Sequence, residues 1–289
     1  MKKIFVIALT LLVLVGCTSS SKGYSKISNG DEIIFKTSDS TYTKNDLYNV
    51  LKVASEESIE QDILNKIADS LDLDLSKIES EAEETMQMYI SIGYEQSIIS
   101  SFGSLDAYKQ LIISSGKLEE LAKKYINDKY NEFVSEDKPV KMQFAYFDNQ
   151  EAAQKLIDDV NKGSTFESSA LTNGYQNNCQ VNVYLDSDET LPLDVKSYLN
   201  DTANTGLSTI ITVTTTSNDA DGKEVSNETY YVLNVVSRTA DEFKEDYIDT
   251  KLNNIDVKDV KEYMFETHDI KFYDQDIYEI MKKEYEVLQ

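Results

Sequence analysis

The sequence has few of the residues on which many catalytic and metal sites depend. Its 289 residues include one histidine and two cysteines. Zinc sites and Ser-His-Asp triads bring several such side chains together, and His268 has no second histidine or cysteine near it in the chain. A calcium loop beginning at Asp72 would need glycine where Lys77 stands. We therefore expect neither a metal nor a cofactor.

Positive charge is also scarce. The chain has 28 Lys and Arg residues against 52 Asp and Glu residues, which gives a formal net charge of −24. A polyanion is repelled by nucleic acid and by anionic lipid. Nucleic-acid binding is therefore excluded, and we expect any membrane contact to come from a lipid anchor and not from a basic surface.

Long apolar runs are missing as well. Lys2 and Lys3 precede a mainly apolar run from Ile4 to Val15, which is too short to span a membrane because a spanning helix needs about 20 residues. The following Leu14-Val15-Gly16-Cys17 resembles the lipobox of bacterial lipoproteins. The alternative, an ordinary secretory peptide with an incidental cysteine, lacks the small-x-small cleavage site.

The lipobox resemblance implies a signal peptide over 1–16, a lipid on Cys17 and a tether over 17–26. Several acyl chains on one cysteine would hold the protein firmly at the extracytoplasmic face of the cell membrane. Cys179 would then have no partner for an intramolecular disulfide. No base stands beside it in the sequence to lower its pKa, so we expect an ordinary thiol.

Residues 27–136 have the pattern of a helical module. Thr43 and Asp46 form a capping-box signature for a helix whose apolar stripe, with Leu47, Val50 and Leu51, is expected to face inward. Further amphipathic segments follow, with Gly116 expected to separate two of them. The first half is therefore predicted to be all α.

Residues 137–238 have a mixed pattern. Pro139 ends a helix, and Val140 to Phe147 favours a strand. A helix from Asn149 to a stop at Gly163 comes next, and the runs 207–215 and 229–236 are expected to pair as a hairpin. Residues 239–289 are helical again and are expected to pack on the N-terminal module. The predicted fold class is α+β, with the mixed domain inserted into a helical body.

This order of segments resembles the PrsA-type foldase lipoproteins and, more distantly, SurA-like chaperones. Within the mixed segment, Ala152-Ala153-Gln154-Lys155-Leu156, the stretch from Lys162 to Ala170, and Leu191-Pro192-Leu193 are similar to successive parts of a parvulin-type peptidyl-prolyl isomerase domain. The resemblance implies a small antiparallel sheet with surrounding helices, and unfolded or nascent secreted polypeptides as partners. A homodimer through the helical modules is compatible with the sequence.

The sequence departs from the parvulin pattern at the site itself. Parvulins carry one histidine on the first strand and another on the last, and alignment of those strands places Phe144 and Tyr231 at the two positions. The acidic stretch of the family is replaced by Gln176-Asn177-Asn178-Cys179-Gln180. No catalytic residue is assigned, and Met142, Phe144, Tyr146 and Tyr231 are expected to bind peptide. The competing expectation is that these residues only form core.

We therefore expect a membrane-anchored chaperone or foldase that assists the folding of secreted proteins, with weak or no isomerase activity. Twisting an X-Pro bond requires directed hydrogen bonds in a desolvated pocket, because the barrier is about 18–20 kcal/mol, and a phenylalanine side chain cannot supply such a bond. Two alternatives stay open. One is an active peptidyl-prolyl cis-trans isomerase, and the other is an extracellular solute-binding lipoprotein.

Overall fold

The computed structural model describes residues 27–36, 40–54, 56–71, 73, 75–175, 177, 179–218 and 224–288. The signal peptide 1–16, Cys17 and the tether 17–26 lie outside these ranges. So do Asp72, Gln176, Asn178 and residues 219–223, which lie between the two runs that are expected to pair as a hairpin.

Helices predominate along the chain, and the strands are mostly short. The strands are β1 Ile33–Lys36, β2 Thr41–Thr43, β3 Val140–Phe147, β4 Asn182–Tyr184, β5 Gly206–Leu207, β6 Ile211–Asn218 and β7 Glu224–Ser237. The helices are α1 Lys44–Ala54, α2 Glu56–Ser70, α3 Leu75–Ser91, α4 Glu95–Phe102, α5 Leu105–Asp128, α6 Tyr130–Asp137, α7 Gln150–Asn161, α8 Phe166–Thr172, α9 Leu193–Asp201, α10 Lys244–Leu252, α11 Val257–Thr267 and α12 Gln275–Glu284. Two 3₁₀ turns lie at Ala240–Phe243 and Glu286–Leu288. The expected α+β class is confirmed.

The chain divides into two compact units. The first contains the described residues up to Tyr125 together with those from Asp256 onward, and the second is Ile126–Ile255. The N-terminal and C-terminal helical segments thus belong to one unit. The mixed unit includes α6 before the predicted range 137–238 and α10 after it.

The first unit opens with the antiparallel β1–β2 hairpin, and α1 follows it directly. The Thr43 hydroxyl accepts a hydrogen bond from the Asp46 backbone N–H at 3.3 Å, and an Asp46 carboxylate oxygen accepts one from the Thr43 backbone N–H at 2.7 Å. These reciprocal bonds satisfy donors that a helix start leaves unpaired. The capping box predicted from the sequence is confirmed.

The apolar stripe of α1 does not face inward, and this expectation was wrong. Leu47, Val50 and Leu51 are 39%, 53% and 49% exposed, whereas Leu64 and Ala68 of α2 are buried. Amphipathic spacing places apolar residues on one helix face, but it does not specify whether another element covers that face. The first unit therefore carries an exposed apolar helix face.

Gly116 does not separate two helices. The single helix α5 runs through it, and a Cβ atom at this position would lie 2.7 Å from Cγ2 of Ile78 on α3. The glycine thus permits a close approach of two helices, although it weakens the intrinsic helix propensity. The expected break was wrong because a packing requirement, and not a turn, explains the residue.

An antiparallel sheet forms the centre of the second unit. Its strand order is β4-β3-β7-β5, and β6 also pairs with β7. Lys138 adopts a left-handed conformation after α6, and β3 begins after Pro139 as predicted. The predicted pairing of the two late strands is confirmed, although β7 begins earlier, at Glu224.

Each face of this sheet is covered by helices. Ala145, Phe147 and Val232 point to one side and pack with residues of α7 and α8. Met142, Leu233 and Val235 point to the other side and pack with residues of α9. This alternation along β3 and β7 is the period-two pattern of paired strands.

The C-terminal part of the second unit is fixed by a buried polar cluster. Asp137 accepts a hydrogen bond from the Tyr247 hydroxyl at 2.7 Å and forms a 2.9 Å ion pair with Lys251. Tyr247 and Phe243 are buried against Val183 of β4 and Leu185. Helix α10 is therefore part of the core of this unit.

Candidate functional site

The two positions aligned with the parvulin histidines lie on one side of the sheet. Phe144 of β3 pairs with Leu233 of β7, and Tyr146 pairs with Tyr231. Residues separated by two along a strand share a face, so Phe144, Tyr146 and Tyr231 are brought together. The sequence predicted this grouping, and the strand register accounts for it.

Burial decreases along this face from one end of β3 to the other. Met142 is completely buried, whereas Phe144 and Tyr146 keep part of their surface. On β7, Val235 and Leu233 are buried and Tyr231 is partly exposed. Met142 therefore supports the floor of this face and has no surface that a peptide could contact, which corrects its expected role as a peptide-binding residue.

The partly exposed rings contact one another. The centroids of Phe144 and Tyr231 are 6.0 Å apart, and those of Tyr146 and Tyr231 are 5.2 Å apart. The Phe144 ring also meets Tyr184 of β4 edge-on at 5.6 Å. We call Phe144, Tyr146, Tyr184 and Tyr231 the aromatic face.

Sequence reasoning missed Tyr184 and a further ring that supports the aromatic face. Tyr175 is buried in the cluster that contains Phe147, Phe166 and Ala170, and its ring meets that of Tyr146 edge-on at 5.3 Å. Tyr184 belongs to β4, and its place beside Phe144 depends on the pairing of β4 with β3 through Val140 and Tyr184. The local sequence around Tyr184 favours a strand, but it does not specify which strand lies beside it in the sheet.

The aromatic face is electrically neutral at ordinary pH. Burial raises the pKa of Tyr231 and of Tyr184, and it raises the pKa of Tyr175 to about 12. The Tyr146 hydroxyl accepts a hydrogen bond from the Asn177 side-chain amide at 3.0 Å. The hydroxyls of Tyr231 and Tyr184 therefore keep their protons, and the face offers rings and neutral hydrogen-bonding groups.

Cys179 does not provide a reactive group at this site. Its thiol is 3% exposed and belongs to the core on the opposite side of the sheet. Burial raises its pKa, and the nearby carboxylate of Glu167 raises it further. A thiol in such surroundings is a poor nucleophile, in agreement with the ordinary thiol that the sequence predicted.

The aromatic face is suited to binding apolar groups, and it lacks the side chains that acid-base catalysis needs. Partly exposed aromatic rings offer a large contact area, and tyrosine adds a polar edge that tolerates water. The chain has one histidine, His268, so a pair of imidazoles is excluded by composition alone. His268 belongs to the first unit, where its Nδ1 lies 2.8 Å from the Met264 carbonyl oxygen.

The first unit has a concave surface of its own. A groove of about 670 Å³ is lined mainly by α2 residues and by the segment after α11, including Ile59, Ile63, Ile67 and Ile270. Ile59, Ile63 and Ile67, which are spaced by four along α2, thus lie along this groove, while Leu64 and Ala68 on the same helix are in the core. His268 lines one side of the groove.

Two kinds of feature are absent from the described residues. None of their helices combines the length and apolar character needed to cross a bilayer. In the same ranges, no three His, Cys, Asp or Glu side chains are grouped so that they could hold a metal ion.

Comparison with known proteins finds similarity only among solved structures. No family model matches this chain, and no curated protein matches it. The foldase protein PrsA from Streptococcus pneumoniae is similar with 18% identity and a TM-score of 0.42, over 87% of this chain and 99% of that one. The peptidylprolyl isomerase PrsA from Bacillus cereus is similar with 14% identity and a TM-score of 0.44, over 89% and 99% of the two chains. PrsA from Bacillus subtilis covers 88% and 99% with 16% identity and a TM-score of 0.37.

Proposed function

We propose that this protein is a membrane-anchored extracytoplasmic chaperone that binds unfolded secreted polypeptides through the aromatic face and isomerises prolyl bonds weakly or not at all. One observation carries the proposal. Phe144 and Tyr231 lie side by side on the sheet, with Tyr146 and Tyr184 against them, at the two positions aligned with histidines in parvulins. A neutral, partly exposed set of rings supports binding of apolar peptide segments without proton transfer.

Suppression of client aggregation tests the binding role. Phe144→Ala is expected to weaken capture of an unfolded secreted protein, because it removes the central ring of the aromatic face. Phe272→Ala is a matched control, since Phe272 is also partly buried and contacts one tyrosine, Tyr278, at 5.7 Å, but belongs to the first unit. Loss of one aromatic contact is expected to cost about 1–3 kcal/mol of binding free energy, which weakens the affinity by about fivefold to about 150-fold. The binding role would be contradicted if both variants lost client binding equally, or if the wild-type protein did not bind the client at all.

A protease-coupled assay on an X-Pro peptide tests the catalytic part. We expect little acceleration over the uncatalysed rate, because the aromatic face provides neither an imidazole nor an ionised group. Phe144→Ala should leave that low rate unchanged. Catalytic efficiency like that of an active parvulin would establish the alternative, a true isomerase.

The third possibility, an extracellular solute receptor, finds no support in the fold. Such receptors have two lobes built from repeated βα units with parallel strands. Every described strand pair here is antiparallel, and the larger sheet has helices of one small unit on both faces.

The anchor can be tested separately from client binding. Cys17→Ser is expected to abolish incorporation of a labelled fatty acid and to release the protein from the membrane fraction, because lipid attachment requires the thiol. Cys179→Ser is the matched control and should remain attached. If the Cys17→Ser protein still incorporated the labelled fatty acid and stayed in the membrane fraction, lipid attachment at Cys17 would be contradicted.

A further inference from the structure

A second recess in the mixed unit is chemically unlike the aromatic face. A cavity of about 400 Å³ lies among β4, α9 and the residue that follows β7, and Arg238, Lys196, Leu191 and Leu199 are in its lining. We call it the Arg238 cavity. Its wall combines apolar side chains with the only arginine of the chain.

Arg238 is fixed in place but forms no ion pair with any carboxylate that the structure describes. Its Nε donates to the Asn204 carbonyl at 3.1 Å, and its Nη1 donates to the Leu199 carbonyl at 2.8 Å. The Nη2 nitrogen is buried and lacks a hydrogen-bond partner among the described residues. A buried N–H donor of a charged group that lacks a hydrogen-bond acceptor destabilises the folded state. Partial burial lowers the pKa of this guanidinium, which expresses the same unfavourable desolvation.

The charges around the cavity leave an excess of one positive charge. Lys138, Lys196 and Arg238 line it together with two acidic residues, Asp186 and Asp201, so three positive charges face two negative ones. Asp186 already accepts a hydrogen bond from the Asn200 amide at 3.1 Å and lies 4.0 Å from the Lys138 ammonium. Lys196 forms no ion pair with any described carboxylate. The balance suits a ligand with a single negative charge better than a dianion.

The Arg238 cavity adjoins the aromatic face through a shared residue. Tyr184 lines the cavity and also packs edge-on against Phe144. A ligand that reaches both would have an apolar segment over the rings and an anionic group toward Lys196 and Arg238. We propose that the Arg238 cavity binds a peptide carboxylate, at the chain end or on an acidic side chain, whose apolar neighbours lie on the aromatic face. This inference deepens the proposed function and rests on it.

Short apolar peptides with and without a carboxylate test the inference. The chain has no tryptophan, so the fluorescence of a tryptophan placed in the peptide reports the peptide alone. One peptide ends in a free carboxylate and its twin in an amide. A second amidated pair carries Glu or Gln inside the same sequence, which separates the two sources of the carboxylate. Because the whole protein carries a formal charge of −24, long-range repulsion favours the uncharged twin, and a preference for the carboxylate must arise locally.

We expect the wild-type protein to bind one of the carboxylate peptides about tenfold more tightly than its neutral twin. Lys196→Gln and Arg238→Gln should bring the two affinities within about twofold of each other. Lys155→Gln removes the same charge from an exposed lysine of α7 in the same unit and should keep the preference. Lys196→Gln decides the result if loss of the carbonyl contacts prevents Arg238→Gln from folding.

The outcomes separate the inference from the proposed function. Tight binding of both twins with equal affinity would overturn the Arg238 cavity as a carboxylate site and leave peptide binding intact. A preference that survives in Lys196→Gln and in folded Arg238→Gln would also overturn it. If no peptide binds the wild-type protein, both the inference and the proposed function fail.

Discussion

Phe144 and Tyr231 stand on neighbouring strands with ring centroids 6.0 Å apart. At the residue scale, both side chains stay neutral near physiological pH, where a pair of imidazoles would titrate. A histidine pair would change charge near pH 6.5, whereas an ordinary tyrosine ionises only near pH 10. Burial raises the pKa of Tyr231 further, so its hydroxyl stays protonated over a still wider range.

Peptide affinity should therefore depend little on pH between about 6 and about 9. The measurement is the affinity of an uncharged tryptophan-containing peptide across that range, compared between the wild type and Tyr231→Phe. The two curves are expected to be parallel, because the ring supplies the contact and the neutral hydroxyl does not titrate. A break in wild-type affinity near pH 6.5 would show that another ionisable group controls binding.

The close packing at Gly116 leads to a prediction about stability, also at the residue scale. Gly116→Ala places a methyl group 2.7 Å from Cγ2 of Ile78, too close for an ordinary contact. Overpacking is expected to outweigh the gain in helix propensity and to lower the free energy of unfolding by about 1–2 kcal/mol. Denaturant titration measures this, and Gly116→Ala should cost less in an Ile78→Ala background, because that side chain lacks the clashing Cγ2 atom. A stabilised Gly116→Ala protein would mean that α3 and α5 do not approach so closely.

At the scale of elements, local signals predicted the strand β3 well. Pro139 sets its start, and alternating side chains continue to Phe147, so the predicted and observed limits agree. Signals of the same kind failed at α1, where the apolar stripe is exposed, and at Gly116, where a helix continues. Both failures concern contacts with distant parts of the chain, which spacing along one segment does not contain. For the same reason Tyr184 and the Arg238 cavity could not be predicted, because they depend on the order of the strands.

The junction of α6 with α10 gives a prediction about element packing. Asp137→Ala would leave the Lys251 ammonium and the Tyr247 hydroxyl without their acceptor in a buried place. Removing one partner of a buried ion pair is expected to lower the free energy of unfolding by about 3 kcal/mol. Glu151→Ala breaks the exposed ion pair with Lys155 on α7 and should change the free energy of unfolding by less than about 1 kcal/mol. Similar losses in the two variants would contradict the buried role of Asp137.

At the scale of the whole molecule, the division of the chain predicts which fragment folds alone. Residues 126–255 are expected to unfold cooperatively, whereas residues 137–238 should be much less stable because they lack Phe243 and Tyr247, which are 3% and 0% exposed. Burial of each ring contributes about 1.5–3 kcal/mol, against a total of about 5–15 kcal/mol for a typical domain. Thermal unfolding of the two fragments compares them, and equal stability would place the boundary at 238.

The location of bound peptide tests the account most directly. An unfolded client segment carrying a photoreactive phenylalanine analogue is bound to the full protein, irradiated, and the attached residues are identified by mass spectrometry. We predict attachment on β3, β4 and β7 at or beside Phe144, Tyr184 and Tyr231, and its loss when excess unlabelled peptide competes. Attachment confined to the first unit, for example along the groove beside Ile63 and Ile67, would contradict the aromatic face as the client-binding site.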